Sequence, residues 1–389
     1  MIPRVMNPRL RSLLARFPVV LMLGPRQCGK TTLARSIGPG RYLDMELPSD
    51  RQLLSGDMEY TLRTLPAPVV IDEAQTVPEL FPVLRALVDQ ARGQKGRFLL
   101  LGSVSPTLIE AIAESLAGRI GVLELTPFLF AEVLGAGVSL RDHWLRGGFP
   151  EPGTEADPAS RHDWFEGYVR TFVERDVRIA APRLMPAQLR RFVMMLAHYQ
   201  GSTLNASELG RSLGVTYQTV NAYLDLLEGF FLARRLPPYH ANLGKRLVKA
   251  PRVYLRDSGL LHHLLGIGDA DRLAVAPGRG ASWEGYVIEQ ILAREAIDSP
   301  ATQPYFFRTQ AGAEIDLILD RGHERIGFEI KAASTVGAAD WRHLQSGVQD
   351  GLIQRGVVVH LGDVSFPARE NVDVLSAGEL LSQGFGIRP

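Results

Sequence analysis

Two groups of residues in this 389-residue chain have types and spacings suited to phosphate chemistry. The first is Gly24-Pro25-Arg26-Gln27-Cys28-Gly29-Lys30-Thr31, followed by Thr32. The spacing G-x-x-x-x-G-K-[ST], between an apolar strand and a helix, is that of a phosphate-binding loop. Its glycines let backbone N–H groups turn inward around phosphate oxygens, and the helix N-terminus adds positive potential. Lys30 is then expected at the β- and γ-phosphates and the Thr31 hydroxyl at Mg2+. Cys28 reads as a small tolerated residue in the loop and not as a nucleophile. Downstream, the apolar run APVVIDEAQ (67–75) ends in Asp72-Glu73. A carboxylate at the C-terminal end of a strand suits the Mg2+ shell, which falls to Asp72, and Glu73 can polarise the attacking water. Ser103, at the tip of RFLLLGS (97–103), is placed to read the γ-phosphate. The chain has no N-K-x-D stretch to read guanine, so ATP is favoured over GTP. Arg119, inside ESLAGRIGVLELTPF (114–128), reads either as a finger completing a neighbour's ATP site or as an ordinary surface arginine.

The second group lies in GAEIDLILDRGHERIGFEIK (312–331). Two alternating runs flank a polar turn, which predicts a β-hairpin. A turn centred on Gly322 and His323 puts Asp316 opposite Glu329, with Cβ atoms about 5 Å apart, and puts Lys331 on the same face. Like charges placed so are destabilising and ask for a compensating cation, a metal ion being the obvious one. Upstream, ASWEGYVIEQILAREA (281–296) predicts a helix that buries Trp283, Val287 and Ile291 and carries Glu284 near its start. A helical Glu, a strand Asp and a Glu-x-Lys strand make the constellation of a PD-(D/E)xK nuclease core. In such a core Glu284, Asp316 and Glu329 hold Mg2+, while Lys331 orients the water or neutralises charge. Glu314 shares the face as a further ligand. A degenerate core that binds nucleic acid without cutting it, or a plain hairpin with an ion pair, remains an alternative.

These residues need elements to hold them. PVVLML (18–23), RYLDME (41–46), PVVID and RFLLLGS are strand patterns of an α/β phosphate-loop domain. Residues 140–200 are expected to form a helical lid, interrupted from Pro182 to Pro186. Within it, Glu174-Arg175-Asp176 either braces helices or faces the nucleotide. In LNASELGRSLGVTYQTVNAYLDLLEGFFLARRLPPY (204–239), Asn205 with Glu208 forms a helix-start box. Gly214 permits a turn, Thr216 caps a second helix, and Val220, Leu224 and Leu227 give that helix an apolar stripe. The pattern suggests a winged helix-turn-helix. Tyr217, Gln218, Thr219 and Asn221 would then face base edges, with Arg234, Arg235, Lys245, Arg246 and Lys249 gripping the DNA backbone. Asp225 and Glu228 on the same helix would oppose phosphates, and such domains also bind proteins.

Composition is consistent with this division. The formal net charge is +1, yet residues 161–257 hold 15 Lys and Arg against 8 Asp and Glu. That basic middle suits phosphate contact, or equally a solvated Arg-rich surface. A single cysteine excludes an internal disulfide and fits a reducing compartment. No apolar run reaches the ~18 residues of a membrane helix, and the first residues lack a signal-peptide block, so a cytoplasmic location is expected. The expected domains are an ATPase core (1–135), a helical lid (136–200), a winged helix-turn-helix region (201–265) and a nuclease-like α/β domain (266–389).

Taken in order, GPRQCGKTTL, VVIDEAQ, LLLGSVS, SLAGRI, GGFPE, YVRTFVERDVR, KRLVKAPRVYLRDSGLL, WEGYVIE, EIDLIL and FEIK resemble the bacterial and archaeal AAA-type (AAA+) ATPases that carry a C-terminal domain of unknown function with a restriction-endonuclease-like core. The resemblance covers almost the whole chain. It implies an AAA+-like core using ATP and Mg2+, a winged region, and a homo-oligomer such as a hexameric ring. It gives ATPase roles to Lys30, Thr31, Asp72, Glu73 and Arg119, and nuclease-like roles to Glu284, Asp316, Glu329 and Lys331. Cys28 departs mildly from the small apolar residue expected there. The expected function is an oligomeric ATPase that moves along or remodels DNA, branched or forked DNA included, with a C-terminal domain that grips or cuts it. The alternative is a nucleotide-controlled switch in defence or regulation that binds a protein partner.

Overall fold

The continuous runs VVLML, VVID and FLLLG leave no polar face, the signature of strands covered on both sides in a parallel sheet. In the computed structural model, which describes residues 2–102, 115–177, 181, 184–240 and 248–383, they form β1 (Val19–Leu23), β3 (Val69–Asp72) and β4 (Phe98–Gly102). With β2 (Arg41–Asp44) and β5 (Ile120–Glu124) they make a parallel five-stranded sheet of order β2-β3-β4-β1-β5. Because every strand points the same way, the residues after β1, β3 and β4 meet at one edge. Ligands of open α/β sheets bind at that carboxyl edge. One core beneath it joins Leu21, Ile71 and Leu100 to Phe81, Leu84 and Val88 on the helix Leu80–Gln90.

The chain divides into two compact units. The first runs to Pro127 and takes in Gly229–Phe231; the second holds Phe128–Glu228 and everything from Leu232 onward. The expected lid, helix-turn-helix and C-terminal domain therefore share one unit. Near its start are the helices Phe130–Val133, Leu140–Arg146, Pro150–Thr154 and Pro158–Thr171, the last passing into a π-turn at Phe172–Asp176. A helix over Pro186–His198 follows.

The helix-turn-helix forms as its spacing predicts. Asn205 accepts from the Glu208 N–H at 3.1 Å and opens the helix Ala206–Leu213. Gly214 takes φ 71°, and Thr216 Oγ1 accepts from the Thr219 N–H at 3.2 Å at the head of the helix Tyr217–Gly229. Strands β6 (Ala233–Leu236) and β7 (Arg252–Leu255) then pair antiparallel. The described ends of their connector lie along the next sheet. The Tyr239 N–H donates to the Phe306 carbonyl at 2.7 Å and the Val248 N–H to that of Arg308 at 3.1 Å. They thereby cover the edge of the next sheet, where an open strand would otherwise invite pairing with another chain.

That sheet has six strands in the order β12-β13-β11-β10-β9-β8. Its members are β8 (Gln303–Arg308), β9 (Glu314–Asp320), β10 (Arg325–Lys331), β11 (Arg355–His360), β12 (Phe366–Arg369) and β13 (Val372–Ser376). β8, β9 and β10 run antiparallel, while β10, β11 and β13 run parallel. The β9–β10 hairpin turns at Gly322 (φ 81°) with Leu317 opposite Phe328, so continuing the register sets Asp316 opposite Glu329 as the alternation implies. The helix Arg279–Asp298 carries Glu284 and buries Trp283, Val287 and Ile291.

Candidate active site and the acidic centre

β1 delivers the chain to Gly24, whose φ of +154° and position only a glycine fills: an added Cβ would lie 2.2 Å from the Leu125 carbonyl oxygen. Gly29, at φ +99°, stands at the head of the helix Lys30–Ser36. Pro25 and Cys28 are buried between these glycines, while Gln27, Thr31 and Thr32 reach solvent and Arg26 is half-buried. Cys28 is fully covered and its thiol faces the Leu125 carbonyl at 3.4 Å, as a packing residue would. Lys30 is buried and its Nζ donates to the Gly24 and Pro25 carbonyls at 2.9 and 2.8 Å. The cation thus already lies along the loop that phosphates would enter.

Across the sheet edge, Thr31 Oγ1 donates to Asp72 Oδ2 at 2.9 Å. Two hard oxygen donors held together at a phosphate loop fit Mg2+. Glu73 follows in the left-handed region (φ 53°), turning its half-buried carboxylate away from the strand. Burial and neighbouring Asp72 raise the Glu73 pKa, and Arg26 and Lys30 hold the rise back. Gln75 donates to Glu73 Oε2. Ser103 lies outside the described residues; the preceding Gly102 ends β4 between β1 and β3.

Arg119 occupies the opposite end of this sheet. Ile120 pairs with Val19 at the start of β1, and the loop follows the end of β1. Five residues of strand span about 17 Å, too far for Arg119 to serve its own loop. Its guanidinium grips Asp89 with two bonds, at 2.9 and 3.0 Å.

Two residues of the first unit were not singled out by sequence. The Tyr42 hydroxyl on β2 donates to Asp72 Oδ2, and burial beside Asp72 raises its pKa. Arg4 donates to the Cys28 carbonyl at 2.8 Å and that of Thr126 at 2.6 Å, bracing the loop from outside. Neither carries a motif. Tyr42 becomes visible only once β2 is known to lie beside β3.

The proposed DNA-contact residues fare unevenly. Tyr217 and Gln218 are exposed at the N-terminal end of their helix, and Thr219 and Asn221 are half-buried. Lys249 is exposed, while Lys245 and Arg246 lie outside the described residues. Arg234 and Arg235 are both engaged in ion pairs. Arg234 pairs with Glu289, at 3.1 Å for its second bond, and Glu289 also takes Arg256 at 2.9 Å. Burial opposes ionisation of Glu289, yet the two guanidiniums hold its pKa below the ordinary range. Arg235 bonds Glu228 at 2.8 Å and Asp225 at 2.5 Å. Asp225 and Glu228, the acids expected to oppose phosphates, thus pair with one of the arginines expected to bind them, Arg235.

The C-terminal carboxylates do converge, around an arginine that sequence reasoning passed over. Arg252 on β7, 4% exposed, donates to Glu284 Oε1 at 2.9 Å and to Asp316 Oδ1 at 3.4 Å, and it pairs with Glu314. The Tyr254 hydroxyl, also on β7, donates to Glu284 Oε1 at 2.5 Å. The Ile330 N–H holds the other Asp316 oxygen at 2.9 Å. Lys331 Nζ donates to Glu329 Oε1 at 2.6 Å. Burial, then neighbouring Asp316, raises the pKa of both Glu284 and Glu329. The acids of the expected Mg2+ constellation thus come together, with the Arg252 guanidinium among them. Among the described residues, no group of three or more His, Cys, Asp or Glu is arranged to hold a metal ion. The alternation in RVYL puts Arg252 and Tyr254 on one face of a strand, but nothing in that stretch names the distant acids they meet.

Comparison with known proteins matches three stretches of the chain. Residues 16–134 match the family described as AAA domain, residues 137–271 a domain of unknown function (DUF8612), and residues 279–380 another (DUF4143). The walker-type ATPase PABY2304 of Pyrococcus abyssi is similar at 17% identity and a TM-score of 0.47, covering 68% of this chain and 96% of that one. Uncharacterized protein Rv2008c of Mycobacterium tuberculosis and uncharacterized protein Mb2031c of Mycobacterium bovis are each 43% identical over 380 residues, 97% of this chain and 84% of theirs. The chain carries an AAA-type ATPase domain and belongs to the family of these mycobacterial proteins.

Proposed function

We propose that the protein binds and hydrolyses ATP at the carboxyl edge of its parallel sheet and uses the turnover to act on DNA. The observation that carries the ATPase reading is the Thr31–Asp72 hydrogen bond beside buried Lys30 and half-buried Glu73. Lys30 exchanges its loop carbonyls for β- and γ-phosphate oxygens. Thr31 and Asp72 would hold magnesium, which supplies charge neutralisation at the phosphates. Glu73 accepts a hydrogen bond from the attacking water and orients it. Ser103 is assigned to the γ-phosphate by its place after β4. Arg119 acts in trans, leaving Asp89 for a neighbour's nucleotide, so the active form is a homo-oligomer, a hexameric ring being one such form. DNA contact is assigned to Tyr217, Gln218, Thr219 and Asn221 at the exposed helix end, with Lys249, Lys245 and Arg246 on the adjoining connector.

The test is ATP turnover against single-stranded, duplex and branched DNA over a range of salt. The reading expects stimulation by at least one DNA and affinity that falls steeply with salt. Turnover indifferent to every DNA would remove the DNA part and leave the ATPase.

One observation favours a second reading, a nucleotide-controlled switch binding a protein partner. The ion pairs of Arg234 and Arg235 take away two of the charges a DNA surface would use. That reading expects slow turnover unaffected by DNA and assembly that requires the partner.

A further inference from the structure

We propose that Arg252 is the resident cation of the C-terminal acidic centre, standing where a nuclease would hold a divalent ion, so that this domain takes no catalytic metal and cuts no phosphodiester. The inference is independent of the ATPase reading, since it concerns the other unit and uses none of its residues.

Four carboxylates, Glu284, Glu314, Asp316 and Glu329, crowd one end of β9, β10 and the helix Arg279–Asp298. A carboxylate cluster of this kind is stable only with compensating positive charge. Arg252 supplies it directly, donating to three of the four. Lys331 supplies it to the fourth, Glu329. The lysine that a nuclease would leave free for the water is thus engaged. Guanidinium is the cation suited to such a place, being planar, permanently charged and built to bond several carboxylate oxygens at once. Its other side is closed: the Arg252 Cζ lies 5.0 Å from the centre of the fully buried Phe306 ring. Tyr254 adds a hydroxyl to Glu284 from the same strand face. A divalent ion entering here would have to displace Arg252 from three carboxylates and leave a buried guanidinium unpaired, which is strongly disfavoured. Among the described carboxylate oxygens of the cluster, Glu329 Oε2 is the one buried without a hydrogen-bond partner, as Arg252 Nε is on the cation's side, and one oxygen does not make a metal site.

The arrangement also has a positive role. Arg252 and Tyr254 lie on β7, beside β6 and the helix-turn-helix, whereas the acids belong to the C-terminal sheet and its helix. The cluster is then an ionic joint that fastens the helix-turn-helix segment to the sheet.

Mn2+ is the probe. The number of ions bound by the nucleotide-free full-length protein would be counted by electron paramagnetic resonance, for the wild type and for Asp316→Asn and Glu329→Gln. The proposal expects the same count in all three. One ion fewer in either variant would overturn it. Arg252→Met should melt at lower temperature than the wild type, and Mn2+ should raise its midpoint but not that of the wild type. A folded Arg252→Met protein that Mn2+ fails to stabilise would show that Arg252 does not hold a cation's place. If that variant does not fold, the ion count in the acid variants still decides.

Discussion

At the residue scale, the phosphate loop was readable because its requirements are local. Gly24 and Gly29 answer to backbone conformations that other residues resist, and Lys30 and Thr31 follow at fixed spacing. The Asp72-Glu73 pair was readable for a similar reason, as charges that end an apolar run. Arg252 was not, because its partners lie 32, 62 and 64 residues away in sequence and only the packed sheet brings them together. Glu73 yields a pH prediction. Its pKa is raised by burial, and its ionised form is the strong, basic acceptor that polarises the attacking water. Turnover should therefore rise with pH along an acid limb whose midpoint lies above the ~4.3 of an exposed glutamate. A pH profile of kcat/KM checks this. The limb should vanish from the residual rate of Glu73→Gln, and an unchanged limb in that variant would assign it to another group.

At the element scale, two stretches that resembled family motifs turn out to meet. Asp257, from RDSGLL, is buried and accepts from the Gly148 N–H of GGFPE and the Leu260 N–H, both at 2.8 Å. Gly259 packs so closely that an added Cβ would lie 2.0 Å from the Arg146 carbonyl oxygen. These motifs are a packing clasp between a helix start and a distant turn, a role that residue types alone do not reveal. Gly259→Ala should lower stability by about 2 kcal/mol or more, by overpacking against rigid backbone. Gly280→Ala, in the helix Arg279–Asp298 with open space around its Cβ position, should be neutral or stabilising by ~0.5–1 kcal/mol. Urea unfolding of the two variants measures both, and equal midpoints would refute the clasp. The hairpin register and the helix-turn-helix caps were legible because alternation and capping act over a few residues. The connector lying on β8 was not, because pairing between distant strands leaves no local mark.

At the scale of the whole molecule, Arg119 sets the strongest demand. It sits at the far end of the sheet from its own loop, so as a finger it would serve another copy. Subunits carrying Glu73→Gln and subunits carrying Arg119→Ala should each be nearly inactive, and mixing them should restore turnover. The restored sites would take Glu73 from one subunit and the arginine from the other. No recovery on mixing, with assembly intact, would leave Arg119 as a surface residue bound to Asp89. No helix among the described residues is long and apolar enough to cross a membrane. The central claim is ATP hydrolysis at Lys30, Thr31, Asp72 and Glu73, and ATP binding measured beside turnover tests it most directly. The account predicts magnesium-dependent binding and turnover in the wild type, neither in Lys30→Ala, and in Glu73→Gln unchanged binding with turnover reduced by ~10²-fold or more. A wild-type protein that binds no ATP at any magnesium concentration, or a Glu73→Gln protein that turns over at the wild-type rate, would contradict it.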